Sequence, residues 1–595
     1  MVASRGKQQT RQNQQETSQI ERYVGTLVGE STSREFRLAV AHEEIREQDI
    51  IAVDAELRKP GDQLSTEQIR IWAKVQRIER LNPLFPSEAG HELAATRTNP
   101  FDTVLSLSRE MVTAVCQVLG VEPVDGSDKG KLDQLRYPPQ PASSAYRPNS
   151  NDIQRIVVGE LQQEKKQNRA LDVAWLANRK DEVDVKVDGD AIVTRHLAIL
   201  AMTGAGKSWT AKRIIEQLSE KNYPIVIFDP HGEYTELASI EGLKVNRYYA
   251  EFPIFEELAE KVMAIVESLT WKFSDTQRSE FENIFDGAKG FLESSDTNIK
   301  YRTSWLSEYL GNEKIEKFGL KPNLFFLADY TEALVKAGKT EDAEVFEKIK
   351  EWTGVNSKLD KQAANWLKGM MPRLRSAAKS LLRMEDISKK ISNGATPLPT
   401  DRLKLVEYGG ISVVSLAGYT SDLQATIYSL VAEDLFDARV RSDLKLPVLL
   451  LLEEAHNFTP AKANTPSEER SIAITKQIAQ EGRKFGVGLI LISQRPSRLD
   501  ETTLSQCNSF IIMRMVNPAD QNFVRKVIES LGENEAKLLP DLDKGEAILS
   551  GQLINFPVLV KMKPPKSQGE REEKDAFEAL EEAHRDNISS NGGRR

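Results

Sequence analysis

Apolar residues fall along this chain in three textures. From Tyr23 to Leu81, short β-rich segments (Tyr23–Gly29, Glu35–Val40, Asp49–Val53 and Ile71–Val75) are separated by turn residues or polar loops. Several short strands at close spacing predict a small barrel. Pro100 to Leu119 adds strand and helix material, and the proline- and serine-rich Pro138–Ser150 predicts a boundary. The second texture pairs continuous apolar runs with helical spacing. The run at His196–Leu200 leads into helical spacing over Trp209–Leu218, and Pro224–Phe228 ends at Asp229. Further on, strands Ile411–Leu416, Pro447–Leu452, Val487–Ile492 and Ser509–Met513 alternate with helices Asp422–Val440, Glu469–Lys484 and Ala519–Leu531. Ala547–Leu549 and Phe556–Val560 close the pattern. Alternation with unbroken apolar strands predicts a mostly parallel α/β sheet. In the third texture, between Phe255 and Thr400, the strand signal nearly vanishes. Amphipathic stretches Ile254–Leu269, Ala343–Trp352 and Lys361–Met384 predict a helical insertion there, since so long a structureless loop is rare inside a domain.

These textures divide the chain into a polar tail at 1–20, a barrel domain at 21–145, an α/β core split into 146–254 and 401–565 by an insertion at 255–400, and a charged tail at 566–595. The tails have too few apolar residues to bury a core. A length of 595 residues leaves room for several domains. The net charge of −9 gives no global basic footprint for nucleic acid, although a ring can gather its basic groups on a small inner surface. Cys116 and Cys507 lie too far apart in sequence to suggest a disulfide framework or a zinc site, and are expected as buried apolar side chains. No apolar run reaches the ~18–20 residues of a membrane span. Met1–Ile20 is too polar for a signal peptide, so a cytoplasmic protein without membrane attachment is expected.

The chemistry centres on Thr203-Gly204-Ala205-Gly206-Lys207-Ser208-Trp209, placed between a strand and a helix. That order is the layout of a phosphate-binding P-loop. Gly204 and Gly206 let backbone N–H groups close around phosphate oxygens, and the helix N-terminus adds donors and a positive dipole end. Lys207 is expected on the β- and γ-phosphates of ATP and the Ser208 hydroxyl on Mg²⁺. Ala201 stands where a full motif has its first glycine, which an ordinary φ would allow. Leu449–Leu452 delivers Glu453 and Glu454 to the end of a buried strand. Glu453 is expected to hold the Mg²⁺ water shell and Glu454 to orient the attacking water. Gln494 ends another strand, where it could sense the γ-phosphate. Asp229 and Glu233 are expected to support the nucleotide site, and His231 and His456 to be hydrogen-bonded loop residues. The stretch Pro460–Arg470, carrying Lys462, is one candidate DNA-contacting loop.

Four segments together, Thr203–Ser208, Asp229–Tyr234, Glu453–Asn457 and Glu481–Gly488 leading into Ser493–Ser497, resemble the HerA family. The β-rich Tyr23–Leu81 region resembles that family's N-terminal HAS barrel, including Gly29–Thr32, and the likeness runs roughly from Tyr23 to Lys563. It implies a RecA-like core of the HerA/FtsK branch, ATP with Mg²⁺, and a homohexamer translocating on double-stranded DNA beside a NurA-type nuclease in end resection and recombinational repair. It also implies that Arg483 acts across a subunit interface on the neighbour's γ-phosphate, with Arg195 as a second arginine at the nucleotide. Other implied settings are a motor or scaffold serving a sirtuin-type or nuclease effector in anti-phage defence and, against the missing membrane segment, a type IV secretion ATPase.

Overall fold

The computed structural model describes residues 23–40, 45–58, 66–81, 111–124, 132–162, 168–293, 323–340 and 361–567, with a few single residues outside these spans. The two predicted tails, except for Lys566, Ser567 and a few single residues, and the predicted helix Ala343–Trp352 lie outside them.

Strict alternation builds the first unit. Phe36 and Leu38, Ile51 and Val53, Ile69, Ile71, Ala73 and Val75, and Ala114 and Cys116 point to one face and are all buried together. Strands with one apolar face close on themselves to bury it. The result is an antiparallel barrel in the order Tyr23–Ser31, Glu35–Val40, Met111–Pro123, Thr66–Leu81, Ile50–Arg58 and Ser144–Tyr146. The last strand lies inside the stretch Pro138–Ser150. Ser144–Tyr146 is too short to carry an apolar pattern, yet it pairs with both Tyr23–Ser31 and Ile50–Arg58 and so closes the barrel.

The second unit is a twelve-stranded sheet. From one edge, Thr396–Pro397, Lys244–Tyr249, Gly410–Ser415, Ile225–Asp229, Val448–Leu452, Val487–Ser493, Leu197–Leu200 and Ser509–Met513 run parallel. Glu546–Gly551, Val558–Met562, Ala170–Leu176 and Asp184–Asp188 extend it antiparallel. Each central strand is buried on both faces, which explains the unbroken apolar runs. Leu197 and Ile199 enter one core with the P-loop helix Lys207–Glu220, while Ala198 and Leu200 enter the other. That second core also takes in the helices Ala259–Leu269, Asp275–Glu293, Leu324–Thr340 and Lys361–Ile391. The insertion is therefore helical as expected, but it shares the sheet's core: Phe281, Phe285, Phe326, Leu367 and Leu374 belong to the same cluster as Phe228, Val414 and Leu450. Strands Ala170–Leu176, Asp184–Asp188 and Lys244–Tyr249 were not predicted. Their charged positions break the apolar runs.

The barrel sits on the sheet's other face. Ile50, Ala52 and Trp72 point out of the barrel and join the core of the P-loop helix. Lys74, on the same strand as Trp72, is 2% exposed and forms an ion pair with Glu535 of the core helix Glu533–Leu538. Its ammonium also donates to the Pro557 carbonyl at 3.3 Å. Replacing Lys74 with methionine leaves Glu535 buried and alone, and is expected to cost about 3–5 kcal/mol. The thermal transition should fall accordingly, and the double variant Lys74→Met/Glu535→Leu should recover most of the loss. A double variant as unstable as the single one would show that the pair does not hold the units together.

Candidate nucleotide site

Strand order brings the site together. In a parallel sheet every strand ends at the same edge, and loops there can meet. The loop after Leu197–Leu200 carries Thr203 to Gly206, with φ of 80° at Gly204 and 106° at Gly206, values that glycine alone adopts freely. Ala201 has no such constraint. Its φ is not positive, it is fully buried, and its N–H continues the sheet onto the Ser493 carbonyl at 3.2 Å. Helix Lys207–Glu220 begins directly at the loop. Its first N–H groups lack partners within the helix and face whatever the loop encloses.

Lys207 is the centre of the site. Its ammonium lies 3.0 Å from Glu453 Oε1 and 2.7 Å from Glu454 Oε1, and all three side chains are buried. Burial works against its charge, but the two carboxylates outweigh that and raise its pKa. The carboxylates themselves diverge. Burial pushes Glu453 up to about 7, despite Lys207 and the Tyr234 hydroxyl that donates to its Oε2 at 2.5 Å. Burial also opposes the charge of Glu454, yet the Lys207 hydrogen bond and charge, with His456 and Gln494, hold it below the usual range. Apart from the Lys207 ammonium beside Glu453 Oε1 and His456 beside Glu454 Oε2, these two buried oxygens meet no donor among the described residues.

Around this centre the expected residues converge. Gln494 donates to Glu454 Oε1, and Thr203 donates to Gln494. The Ser208 hydroxyl donates to Glu233. Asp229 is fully buried and shapes the turn that delivers Glu233: its carboxylate accepts the backbone N–H groups of His231, Gly232, Glu233 and Tyr234 at 2.8–3.2 Å. His456 Nδ1 lies 3.3 Å from Glu454 Oε2. Trp209 is half-exposed beside the loop. Tyr234 was missed as a site residue. Its place at the end of the Asp229–Tyr234 stretch was the available signal. The candidate loop Pro460–Arg470 is shorter than expected, because Thr465 caps a helix from Pro466 to Phe485. Residues 459–461 instead pair with 498–500, through Ala461 N–H to the Arg498 carbonyl at 2.7 Å and Asp500 N–H to the Thr459 carbonyl at 3.0 Å.

Arg195 and Arg483 do not join this cluster. Helix Pro466–Phe485 runs back from the strand ends to the start of Val487–Ser493, so Arg483 stands exposed at the opposite edge. Arg195 ends the short helix Gly189–Arg195, just before the start of the P-loop strand, on that same edge. The six residue steps from Gly488 to Gln494 separate the two edges by about 20 Å. Neither arginine can reach the P-loop of its own chain.

The site's electrostatics give a pH test. The folded-state pKa of Glu453 is raised from 4.5 to about 7, so the folded protein holds this proton more tightly than the unfolded chain does. Its contribution is fully present below pH 4.5 and is lost as pH rises through 7. Between pH 5 and 8, the melting temperature of the nucleotide-free protein should fall more steeply than that of Glu453→Gln. Parallel slopes would show that Glu453 carries no such shift.

A sequence profile described as the central domain of helicase HerA matches residues 156–435. The DNA double-strand break repair helicase HerA of Pyrococcus furiosus is 30% identical over 485 residues, covering 76% of this chain and 78% of the relative. The HerA of Sulfolobus acidocaldarius, under the same name, is 30% identical over 64% of this chain and 67% of its own. A probable helicase of Methanocaldococcus jannaschii is 27% identical over 563 residues, 91% of this chain and 95% of the relative. With its P-loop, its paired strand-end glutamates and these relatives, the chain is an ATP-hydrolysing enzyme and belongs to the HerA family.

Proposed function

We propose that this chain is an ATP-driven translocase of double-stranded DNA that works as a ring of six copies, beside a NurA-type nuclease at DNA ends, in double-strand break repair. The observation that carries the ring is the separation of the nucleotide cluster from Arg195 and Arg483 by the depth of the sheet. Catalysis of phosphoryl transfer calls for positive charge at the γ-phosphate. A second copy, docked with its arginine edge against the first copy's P-loop edge, supplies it. The repair setting comes from the names of the relatives, and the nuclease from the family resemblance.

The residues suit ATP with Mg²⁺. The Ser208 hydroxyl and Glu453 Oε1, whose one donor among the described residues is the Lys207 ammonium, offer the hard oxygens that would hold this ion and its water shell. When bound, the ion neutralises phosphate charge. Lys207 exchanges its two carboxylate partners for phosphate oxygens. That frees the Glu454 carboxylate, held by Gln494, to orient a water against the γ-phosphate. Thr203 carries the state of the loop to Gln494.

Motion could pass to DNA through the paired loops at 459–461 and 498–500. Each follows closely on a nucleotide residue, Glu454 or Gln494, and in or beside them lie exposed Lys462, Arg495 and Arg498. Side chains of this kind bind phosphates without regard to base sequence, as a motor requires.

The test combines oligomer mass, ATPase rate with linear duplex DNA, and mixed rings. Lys207→Ala should lose hydrolysis, and Arg483→Ala should keep ATP binding while losing turnover by about 10³. Mixed in equal amounts, the two inactive variants should regain up to about a quarter of wild-type rate, because that share of interfaces joins an intact P-loop to an intact arginine. Mixed rings without activity would overturn the trans arrangement. Hydrolysis indifferent to duplex DNA would overturn the translocase.

A further inference from the structure

The residue between Arg195 and the P-loop strand is His196, which is 2% exposed and has a φ of 59°. Few side chains other than glycine's hydrogen are held in that conformation. The imidazole bridges two elements. Its Nδ1 accepts the N–H of Leu489 at 3.0 Å, in the strand that ends at Gln494. Its Nε2 lies 3.1 Å from the carbonyl of Ala479, one turn before Arg483 in helix Pro466–Phe485. An amide N–H only donates and a carbonyl only accepts, so the proton sits on Nε2 and the ring is neutral. Burial agrees, pushing the ring down to about 4.

The surroundings seat that bridge. Gly488, beside Leu489, lies so near the chain before His196 that an added Cβ would stand 2.3 Å from the Val193 carbonyl oxygen. The helix end beyond Arg483 is fixed by Arg439, whose Nε donates to the Phe485 carbonyl at 2.6 Å. Arg195 is also held through its backbone, where its carbonyl accepts the Asn508 N–H at 3.0 Å.

We infer that His196 is a positioning residue that sets Arg195 and Arg483 as one rigid pair and ties that pair to the P-loop strand of the same subunit. This inference rests on the trans arrangement proposed above. Strand Leu197–Leu200 then has a nucleotide loop at one end and, through His196, the arginines offered to the neighbouring nucleotide at the other. A shift of the loop on ATP binding can reach the neighbour's γ-phosphate through this short rod.

His196→Gly removes the ring and suits the backbone, since glycine adopts this φ without strain. His196→Gln keeps one donor and one acceptor on the side chain. In the glycine variant, nucleotide affinity measured with a fluorescent ATP analogue should stay within twofold of wild type while kcat falls at least tenfold. The glutamine variant should recover part of kcat. Mixed rings decide the side on which His196 acts. His196→Gly mixed with Lys207→Ala should regain activity, whereas His196→Gly mixed with Arg483→Ala should regain none. If Arg483→Ala with Lys207→Ala recovers but His196→Gly with Lys207→Ala does not, His196 serves its own P-loop and the inference fails. If neither mixture recovers, the trans arrangement itself has failed. Should the glycine variant not assemble, the same mixtures are made with His196→Asn, whose shorter side chain tolerates a positive φ, and full wild-type turnover in that variant would overturn the inference.

Discussion

An ammonium buried between two carboxylates is the interaction on which the nucleotide site depends. Lys207, Glu453 and Glu454 are each nearly closed to water, and none of the three could stay charged there alone. Two negative groups around one positive one cannot both be fully satisfied. The conflict is resolved by unequal surroundings. Glu454 has the closer contact with Lys207 and a hydrogen bond from Gln494, and stays ionised, whereas Glu453 is pushed toward its protonated form by burial. Adjacent residues of one strand end thus acquire different acidities, which is what two different tasks at a phosphate require. The arrangement also leaves Glu453 Oε1 with no donor but Lys207, and Glu454 Oε2 with none but the nearby His456, among the described residues.

Glu454 has a φ of 49° and a ψ of 53°, the left-handed region that a non-glycine side chain enters at a cost of about 1–3 kcal/mol. It ends a strand whose direction is fixed by its neighbours on both sides, Ile225–Asp229 and Val487–Ser493. A regular continuation would send consecutive side chains to opposite faces. The left-handed turn breaks that alternation, and both carboxylates reach the same ammonium. The strain is held in place by the buried contacts it permits.

Much of this was legible because the parallel sheet writes itself plainly. Strands buried on both faces have to be apolar throughout, so Leu449–Leu452 and Leu489–Ile492 stand out, and the polar residues that follow them fall at one edge by topology. Lys207, Glu453, Glu454 and Gln494 could therefore be grouped before any coordinates. Elements whose burial is partial were not legible. Lys244–Tyr249 is only half-buried over most of its length, and Ser144–Tyr146 is three residues long. His196 was hidden for a different reason. A lone histidine beside an apolar run carries no pattern, and its two partners, Ala479 and Leu489, lie nearly 300 residues away.

Sheet depth imposes the last constraint. A parallel strand delivers residues to two edges about 20 Å apart, and no side chain spans that distance. Whatever sits before the P-loop strand is excluded from the nucleotide of its own chain, however close it is in sequence. Arg195, six residues before Ala201, is a case where sequence proximity misleads. The same geometry puts the buried Lys207–Glu453–Glu454 cluster at one edge and Arg195 and Arg483 at the other. Under the ring arrangement proposed above, head-to-tail contacts bring one copy's arginine edge to the next copy's nucleotide edge, and such contacts close as a ring or run on as a filament.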